Sequence, residues 1–418
     1  MVIKKQYLVS LVCLALVGAA ATYAYRTYTL RLVVPPGPIE SLDPAAPGTS
    51  EPTNANQPSP EVTPQKSDAS LSFVTLPPGF VITVFSNDWS SNKVSAPGPG
   101  TGPRLMTLRR DAVYLGVPRE GRIAVVKDTN ADGRADAVTT FIDDLNRPHN
   151  IAFSGTTAYV AAEDAIWLMR DENQDDVAYE GSLKRLLTLP TGGHWTRTVK
   201  VIGNKLYISM GSSCNACVEK DEARATIMRC ELDGTACATF ASGLRNTVDF
   251  VEQGGSIYGT DNGRDQLGNT LPPEEVNVIA EGKHYGWPYC YGQRVADTNF
   301  PHPSLGPLDF CTTTTAPWAE LPAHNAPLGL AFYTGTAFPE EYQGDLFVAS
   351  HGSWNRQPPG GYKLFRVDAA TGQVSDFATG WLDGATVRGR PVGVINYQGG
   401  LLVSDDTVGI IYRITYRP

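Results

Sequence analysis

Short runs rich in β-branched, aromatic and aliphatic residues recur along the chain in pairs, with Gly, Asn or Asp between the two runs of each pair. In one copy, residues 147–153 are followed by 158–162 and then by a third run at 165–169. The other copies pair residues 103–108 with 112–116, 197–201 with 206–210, 245–250 with 256–260, 327–332 with 345–350, and 390–394 with 401–406. Such runs are typical of antiparallel strands joined by tight turns and not of helices.

Six copies of this repeat predict an all-β fold, a six-bladed β-propeller of four-stranded antiparallel blades. In such a fold the first strand of each repeat lines a central channel, and loops at the channel mouth form the site. The stretch between Arg245 and Pro327 is longer than the other spacings, so we expect an insertion there that covers one face. Residues 73–85 are expected to close the ring by joining the last blade.

The N-terminal part of the chain differs in composition from the repeats. Lys4 and Lys5 precede an uncharged run from Tyr7 to Tyr25, which predicts a signal peptide or an uncleaved membrane anchor over residues 1–25. Residues 26–70 are rich in proline and polar residues and are expected to form a disordered linker. The propeller is then expected over residues 71–418, in the periplasm or secreted, and either free or anchored to the membrane through the N-terminus.

Charge and cysteine content narrow the class of protein further. The formal net charge is −9 at pH 7, so nucleic acid is not an expected partner. Six cysteines follow the leader, namely Cys214, Cys217, Cys230, Cys237, Cys290 and Cys311. An even number in an exported protein predicts disulfides, and we prefer the local pairs 214–217, 230–237 and 290–311. Zinc is the alternative for the first pair, although two further thiolates of standard spacing are missing.

Residues 128–136 have the spacing of the first half of a calcium-binding loop. Asp128, Asp132 and Asp136 supply carboxylates and a glycine follows Asp132, but Thr139 stands where such a loop needs its closing glutamate. We therefore favour a hairpin turn built from Asp, Asn and Gly over a weak calcium site. Residues 171–176 repeat the pattern without the glycine, and a turn is favoured there as well.

Histidines and arginines next to the predicted channel-lining strands are the candidates for chemistry. His194 precedes such a strand and is a candidate general base, because imidazole titrates near neutral pH; a structural histidine is the alternative. His351, at the end of an equivalent strand, is the second candidate. Arginines recur at the same predicted mouth, namely Arg245, Arg264, Arg388 and Arg390. They suggest a pocket for an anion, with ion pairs between blades as the alternative.

Five phrases in this region are more specific than any single residue. They are Gly193-His-Trp-Thr-Arg-Thr, Gly211-Ser-Ser-Cys-Asn-Ala-Cys, Ser242-Gly-Leu-Arg-Asn, Asp261-Asn-Gly-Arg-Asp followed by Gly286-Trp-Pro, and Arg388-Gly-Arg-Pro-Val-Gly-Val. In this order the chain resembles the soluble quinoprotein glucose dehydrogenase and sorbosone dehydrogenase family, most nearly its sorbosone-dehydrogenase-like branch. The resemblance extends from about Leu76 to the end of the chain.

The resemblance implies a site for pyrroloquinoline quinone (PQQ) over the channel mouth, with Ca²⁺ bridging the quinone and the protein. His194 would accept the proton of the substrate hydroxyl while hydride passes to the quinone, and Arg245 would stabilise the charge that develops there. The residues implied to bind the quinone are Asn246, Arg264, His351, Arg388 and Arg390. Gly263 and Arg264 would offer backbone carbonyls to the calcium ion.

Two departures from the glucose-oxidising members argue against glucose itself as the substrate. Ser212 occupies the place of the aspartate that orients the histidine, and His351 or a neighbour replaces a lysine on the cofactor. We therefore expect oxidation of an aldose or sugar-like alcohol, with an external electron acceptor. The alternatives are a calcium-dependent propeller lactonase or esterase, and a non-catalytic propeller that binds a sugar or a protein.

Overall fold

The computed structural model describes residues 67–87, 100 and 102–418. The predicted leader and nearly all of the predicted linker therefore lie outside the described residues. In the part of the chain that is described, no helix is long and apolar enough to cross a membrane.

The first strand of the described chain is β1 (Phe80–Ser86), which is not in the same sheet as the strands that follow it directly in sequence. The next four form one sheet: β2 (Met106–Arg109), β3 (Ala112–Val117), β4 (Arg122–Lys127) and β5 (Ala137–Ile142). A second sheet contains β6 (Asn150–Ser154), β7 (Thr157–Ala161), β8 (Ala165–Arg170) and β9 (Lys184–Thr188). A third contains β10 (Arg197–Ile202), β11 (Lys205–Met210), β12 (Thr226–Glu231) and β13 (Ala238–Ser242).

The second half of the chain continues the pattern, with two additions. The fourth sheet contains β14 (Thr247–Gln253), β15 (Ser256–Asp261) and β16 (Glu274–Ile279). An insertion follows, with β17 (Cys290–Tyr291), β18 (Val295–Ala296) and helix α1 (Pro307–Thr313). Strand β19 (Ala319–Leu321) then completes the fourth sheet. The fifth contains β20 (Pro327–Phe332), β21 (Leu346–Ser350), β22 (Lys363–Val367) and β23 (Val374–Ala378). A hairpin of β24 (Leu382–Asp383) and β25 (Thr386–Val387) precedes β26 (Pro391–Tyr397), β27 (Gly400–Asp405) and β28 (Ile410–Tyr416).

The sheets are arranged in a ring, and the predicted six-bladed propeller is confirmed. The first strands of successive blades contact one another in the cyclic order β2, β6, β10, β14, β20, β26 and back to β2. These strands line the axis, while β5, β9, β13, β19 and β23 lie at the outer edges of their blades. The repeat read from the sequence therefore corresponds to one blade.

The ring is closed by the N-terminal strand, as the sequence predicted. The sixth sheet has the order β1-β28-β27-β26, and β1 pairs antiparallel with β28 from Phe80 opposite Tyr416 onwards. Backbone and side-chain contacts reach further back than the predicted start at residue 71. Ser67 Oγ accepts a hydrogen bond from the backbone N–H of Ile82 at 3.2 Å, and an Asp68 carboxylate oxygen accepts one from Val84 at 2.7 Å. Ser67 and Asp68 thereby satisfy donors on the open edge of β1.

Each blade is covered on both faces by its neighbours, which explains why its strands are nearly continuous apolar runs. All six residues of β3 are buried, and they divide between two cores. Tyr114 packs against Phe153 of the next blade, with 4.8 Å between the ring centroids, whereas Val113 shares a core with Leu402 of the sixth blade. Truncating a buried aromatic residue in such a core typically costs about 3–5 kcal/mol.

The described residues include three disulfides, and they confirm the three predicted pairs. Cys214 is bonded to Cys217, Cys230 to Cys237, and Cys290 to Cys311. The last bond ties β17 to helix α1 within the insertion. The first excludes the zinc alternative, because a disulfide leaves no thiolate to bind the metal. Three disulfides indicate an oxidising compartment, which agrees with the predicted export.

Candidate active site

The candidate residues lie in loops at one end of the propeller, because of the directions in which the strands run. In each blade the first strand begins, and the second strand ends, at the same end of the propeller, which we call the mouth. Arg197 at the start of β10, for example, pairs with Met210 at the end of β11. Loops that enter first strands carry His194, Arg245, Asn246, Arg388 and Arg390, and loops that leave second strands carry Gly263, Arg264 and His351. Residues far apart in sequence therefore share one end of the fold.

Four of the six blades contribute to an apolar layer just below the mouth. Leu105, Val248, Leu328 and Val392 form one buried cluster. Val248 and Val392 each follow a polar mouth residue by two positions, so the apolar layer lies one step deeper along the inner strands.

His194 is held with a defined tautomer. Its Nδ1 lies 2.9 Å from the backbone oxygen of Ser212 and 3.0 Å from Ser212 Oγ. Because a carbonyl oxygen can only accept, Nδ1 carries the proton and Nε2 carries the lone pair. Ser212 Oγ itself donates to Cys214 O at 2.7 Å, which leaves its own lone pairs for His194. Ser212 thus lies at the position where the resemblance placed an orienting residue.

The environment of His194 keeps it neutral. Burial lowers the pKa of His194 from 6.5 to about 4, and the nearby cation of Arg245 adds to the effect. Among the described residues Nε2 has no hydrogen-bond partner, so its lone pair is free to accept a proton from a ligand. The geometry is that of a positioned base with the correct protonation state at neutral pH.

Arg245 is buried, and hydrogen bonds to the protein use four of its five guanidinium N–H groups. Its Nε and Nη2 donate to the backbone oxygen and the Oδ1 of Asn215, both at 3.0 Å, and Nη1 donates to Asn262 O at 3.1 Å. Its ion pair among the described residues is with Asp265, at 3.4 Å. Most of its hydrogen-bond partners are neutral, and an anionic group at the mouth would be attracted to its positive charge.

Asn246 is the next residue, and it lies beside His194. Asn246 Oδ1 is buried without a hydrogen-bond partner. A Cβ atom added to Gly211 would lie 2.5 Å from this oxygen and 2.7 Å from the Cβ of His194, so only glycine fits between them. A buried acceptor without a donor costs about 1–3 kcal/mol. This oxygen therefore indicates a place for a ligand N–H, a hydroxyl or a cation.

Asp261, which the sequence analysis did not propose as a site residue, fixes the backbone of Arg245 and Asn246. Its carboxylate accepts the N–H of Arg245 at 3.0 Å and that of Asn246 at 2.8 Å. Burial raises the pKa of Asp261 to about 7, and burial also raises the pKa of Glu274 to about 7. These carboxylates are used to hold the main chain.

The predicted calcium ligands lie where β15 leaves its blade. The N–H of Gly263 donates to Glu274 at 2.6 Å, and the guanidinium of Arg264 pairs with Asp297 of the insertion at 2.5 Å. A small cavity of about 20 Å³ adjoins both residues and Arg245. It has room for about one water molecule, so a quinone would have to lie outside it, in the open mouth.

Among the described residues, the one group of three potential metal-binding side chains with converging ligand atoms is Cys214, Cys217 and Glu219. Its cysteines are disulfide-bonded, so it is not a thiolate site. Calcium binding through the carbonyls of Gly263 and Arg264 remains a prediction.

His351 forms a second polar cluster at the mouth. Its Nε2 lies 2.8 Å from a carboxylate oxygen of Asp406, and the buried Asp406 also pairs with Arg104. These two partners lower the pKa of Asp406 against the opposing effect of its burial. Asp406 therefore stays charged at neutral pH and fixes the imidazole of His351.

The cluster continues across the axis through residues that the sequence analysis missed. His149 is completely buried, and its Nε2 lies 3.4 Å from Arg104. Burial and the neighbouring Arg104 keep the pKa of His149 well below its usual value. His149 precedes β6 at the offset by which Asn246 precedes β14, so aligning the repeats residue by residue could have found it.

The two remaining arginines differ in their surroundings. Arg390 donates to the backbone oxygens of His351 and Gly352, both at 3.2 Å, and to the hydroxyl of Tyr362 at 3.0 Å. Arg388 instead pairs with Asp383 on the exposed β24–β25 hairpin, at 2.6 Å. Arg390 is thus joined to the His351 cluster and Arg388 is not. Their predicted contacts with cofactor carboxylates remain untested.

Residues 128–136 form a turn between β4 and β5, as favoured from the sequence. Asp128 accepts the N–H groups of Asp132 at 3.1 Å and Gly133 at 2.9 Å. Asp136 accepts the N–H of Thr129 at 2.6 Å. The carboxylates are occupied by the turn itself, which is the usual role of Asp in such loops.

The structure is a six-bladed propeller with a cluster of polar residues at one end. The chain belongs to the TrAA12-like family, whose family model matches residues 101–417. This agrees with the resemblance to the PQQ-dependent sugar dehydrogenases, which is confirmed.

Individual relatives were found by sequence and by structure. An uncharacterized protein of Borreliella burgdorferi is 31% identical over 83% of this chain and 92% of its own length. A pyrroloquinoline quinone-dependent pyranose dehydrogenase of Coprinopsis cinerea is 28% identical over 75% of this chain, which spans about half (52%) of that enzyme. The calcium structure of a Trichoderma reesei enzyme of carbohydrate-active family AA12 covers 82% of this chain and 97% of its own, with a TM-score of 0.68 at 20% identity.

Proposed function

We propose that this protein is a PQQ- and calcium-dependent dehydrogenase that oxidises an aldose or a sugar-like alcohol, with His194 as the general base. The observation that carries the proposal is the pair formed by His194 and Asn246. A neutral imidazole with its lone pair unused lies beside a buried amide oxygen that lacks a partner. Such a pair suits a ligand that brings both a hydroxyl and a further polar group.

Family membership supports the choice of cofactor. The Coprinopsis relative is named as a PQQ-dependent pyranose dehydrogenase, and the Trichoderma structure is described as a calcium structure. Since the chain spans about half of the Coprinopsis enzyme, the activity of that whole enzyme is carried over here only as a proposal.

The residues at the mouth fit a quinone that carries carboxylates. Arg245 offers a buried cation with mainly neutral partners, and Asn246 Oδ1 offers an unused acceptor. Gly263 and Arg264 would provide backbone carbonyls, the ligand type that Ca²⁺ accepts. PQQ, when bound, would supply the two-electron acceptor, and Ca²⁺ would act as a Lewis acid.

The contribution of the protein to the reaction is proton transfer and orientation. His194 Nε2 accepts the proton of the substrate hydroxyl, and the bond from Nδ1 to Ser212 O stabilises the imidazolium that forms. Arg245, fixed by Asn215 and Asp261, places positive charge where negative charge accumulates during hydride transfer.

The lactonase alternative needs several carboxylates and asparagines converging on a central calcium ion. In the described residues Asp261 and Glu274 already accept backbone N–H groups, and Asp265 pairs with Arg245. Arginines and an unused amide oxygen fit a quinone better than they fit a carboxylate-bound metal.

Reconstitution tests the proposal directly. Purified apoprotein titrated with PQQ and CaCl₂ should show saturable binding in the absorbance spectrum, and a panel of aldoses should then reduce the bound quinone. EGTA should prevent reduction, and a lactone panel under the same conditions should remain unhydrolysed. Absence of saturable PQQ binding in the presence of calcium would refute the proposal.

A further inference from the structure

The loop after β11 is closed by the bond between Cys214 and Cys217, and we call residues 212–217 the disulfide loop. It contains no regular secondary structure, yet it lies between the two side chains proposed to do the chemistry. Its first residue contacts His194, and the residue between the cysteines that points to the mouth, Asn215, contacts Arg245.

Asn215 makes five hydrogen bonds, which link it to Arg245, Asp265 and Trp287. Its backbone oxygen accepts from Arg245 Nε at 3.0 Å and from the indole N–H of Trp287 at 3.2 Å. Its Oδ1 accepts from Arg245 Nη2 at 3.0 Å and from the N–H of Asp265 at 2.7 Å. Its Nδ2 donates to the backbone oxygen of Asp265 at 3.1 Å. One side chain therefore fixes both the buried cation and its only carboxylate partner among the described residues.

The other end of the loop fixes His194. Ser212 accepts the Nδ1 proton of His194 with its backbone oxygen, and its own N–H donates to Arg245 O at 2.8 Å. Ser212 Oγ donates to Cys214 O at 2.7 Å, which joins this contact to the disulfide. The orientation of His194 and that of Arg245 thus depend on the same six residues.

A loop without regular secondary structure needs another constraint to hold such an arrangement. The disulfide brackets Asn215 on both sides, and a covalent bracket reduces the number of conformations that the loop can adopt. Loss of this constraint would leave Arg245 buried with fewer acceptors, an unfavourable state for a charged group.

Resting on the proposed function, we propose that Asn215 is a positioning residue for Arg245 and that the Cys214–Cys217 bond exists to hold it there. The disulfide loop is then part of the catalytic framework. The disulfide of Cys230 and Cys237 offers a matched comparison, because β12 runs from Thr226 at the mouth to Glu231 at the opposite end and this second bond lies near that far end.

The first test replaces Asn215. Asn215→Ala should lower kcat/KM by about 10- to 100-fold, the equivalent of one or two hydrogen bonds to a charged group, chiefly through kcat. Asn215→Asp keeps the Oδ1 acceptor for Arg245 and should recover kcat, while its added negative charge should weaken PQQ binding. A purely structural role would lower the melting temperature in both variants and leave turnover per folded molecule unchanged.

The second test replaces the cysteines. The double variant Cys214→Ser/Cys217→Ser should lose at least about tenfold in kcat/KM, whereas Cys230→Ser/Cys237→Ser should lose stability and keep kcat/KM. This comparison still applies if Asn215→Ala does not fold. Equal effects of the two double variants would overturn the proposal.

A third measurement does not depend on the cofactor. In ¹⁵N-arginine-labelled apoprotein, the Nη2–H of Arg245, assigned through Arg245→Lys, should be protected from solvent exchange, and it should lose protection in Asn215→Ala, which removes its Oδ1 acceptor, and in Cys214→Ser/Cys217→Ser. If PQQ neither binds nor turns over, the proposed function fails while this measurement still decides the role of Asn215. Unchanged protection in both variants would refute the positioning role.

Discussion

The sharpest prediction concerns the proton acceptor, through the substitution His194→Asn. The amide nitrogen of Asn can take the place of Nδ1 and keep the hydrogen bond to Ser212 O, but Asn has no atom in the place of Nε2. The substitution therefore removes the proposed base and leaves its anchor. We expect turnover of the PQQ-loaded enzyme to fall about 100- to 10,000-fold, the usual contribution of a general base.

The expected loss of turnover can be compared with the loss of stability that the same substitution causes through packing. A loss of 100- to 10,000-fold corresponds to about 3–5 kcal/mol in the activation free energy. The folded state should change far less, by about 1 kcal/mol or less, because His194 is only partly buried and its one anchor is retained. Affinity for PQQ should be close to that of the wild type.

Stopped-flow reduction of bound quinone by an aldose measures turnover per loaded molecule, and thermal unfolding of the apoprotein measures the packing contribution. His351→Gln is the control at the other histidine of the mouth, since Gln can still reach Asp406. It should alter PQQ affinity more than turnover. A His194→Asn enzyme within tenfold of the wild-type rate, or one whose loss simply follows a lowered melting temperature, would refute the assignment of His194 as the base.

The pKa of His194 adds a pH dependence with a definite sign. Its folded value of about 4 lies below its ordinary value of 6.5, so the unfolded state binds a proton more readily and stability falls as pH drops from about 6.5 to 4. At about 1.4 kcal/mol for each pKa unit, the loss is about 3 kcal/mol. Denaturant titrations at pH 7 and pH 4 should show this loss in the wild type and not in His194→Asn, and equal losses in both would contradict it.

Four further predictions concern other residues. Arg245→Ala should weaken PQQ binding by about 10- to 100-fold, because it removes charge-assisted hydrogen bonds; unchanged affinity by absorbance titration would exclude its role. Asp406→Asn should destabilise the protein by about 3–5 kcal/mol, since it leaves a buried arginine uncompensated, as measured by urea unfolding. A chain beginning at Ser67 should melt like the full mature protein, whereas one beginning at Leu71 should melt several degrees lower because two edge donors of β1 lose their acceptors; identical melting curves would show that these contacts contribute nothing. Thiol labelling of the unfolded, unreduced protein should find no free cysteine outside the leader.

Much of the fold was predictable because it is repetitive. The same alternation of short apolar runs and turns appears in every blade, and a strand covered on both faces leaves a strong apolar signal in the sequence. The closing strand could also be located, since an extra strand at one end of the chain must pair with the blade at the other end. The disulfides were predictable for a similar reason, because each joins cysteines that are close in sequence.

The site was predictable only where a motif marked it. His194, Ser212 and Arg245 lie in phrases that the resemblance identified, and the structure brings them together through the end of β11. Arg104, His149 and Asp406 come from three different blades and have no local signature. Their meeting at the axis depends on ring closure, which brings the end of the chain to its beginning.

What the sequence determined by itself was therefore the type of blade, the number of blades and the family, since these depend on local pattern and on short motifs. Only the tertiary structure decided which polar groups are paired. Arg388 and Arg390 are two residues apart in one motif, yet the first joins an exposed ion pair and the second joins the cluster of His351. Asn215 reads in the sequence as a spacer between two cysteines, and its role follows from the burial of Arg245 beside it. Hydrogen bonds and charge compensation depend on distances between blades, and those distances exist only once the ring has closed.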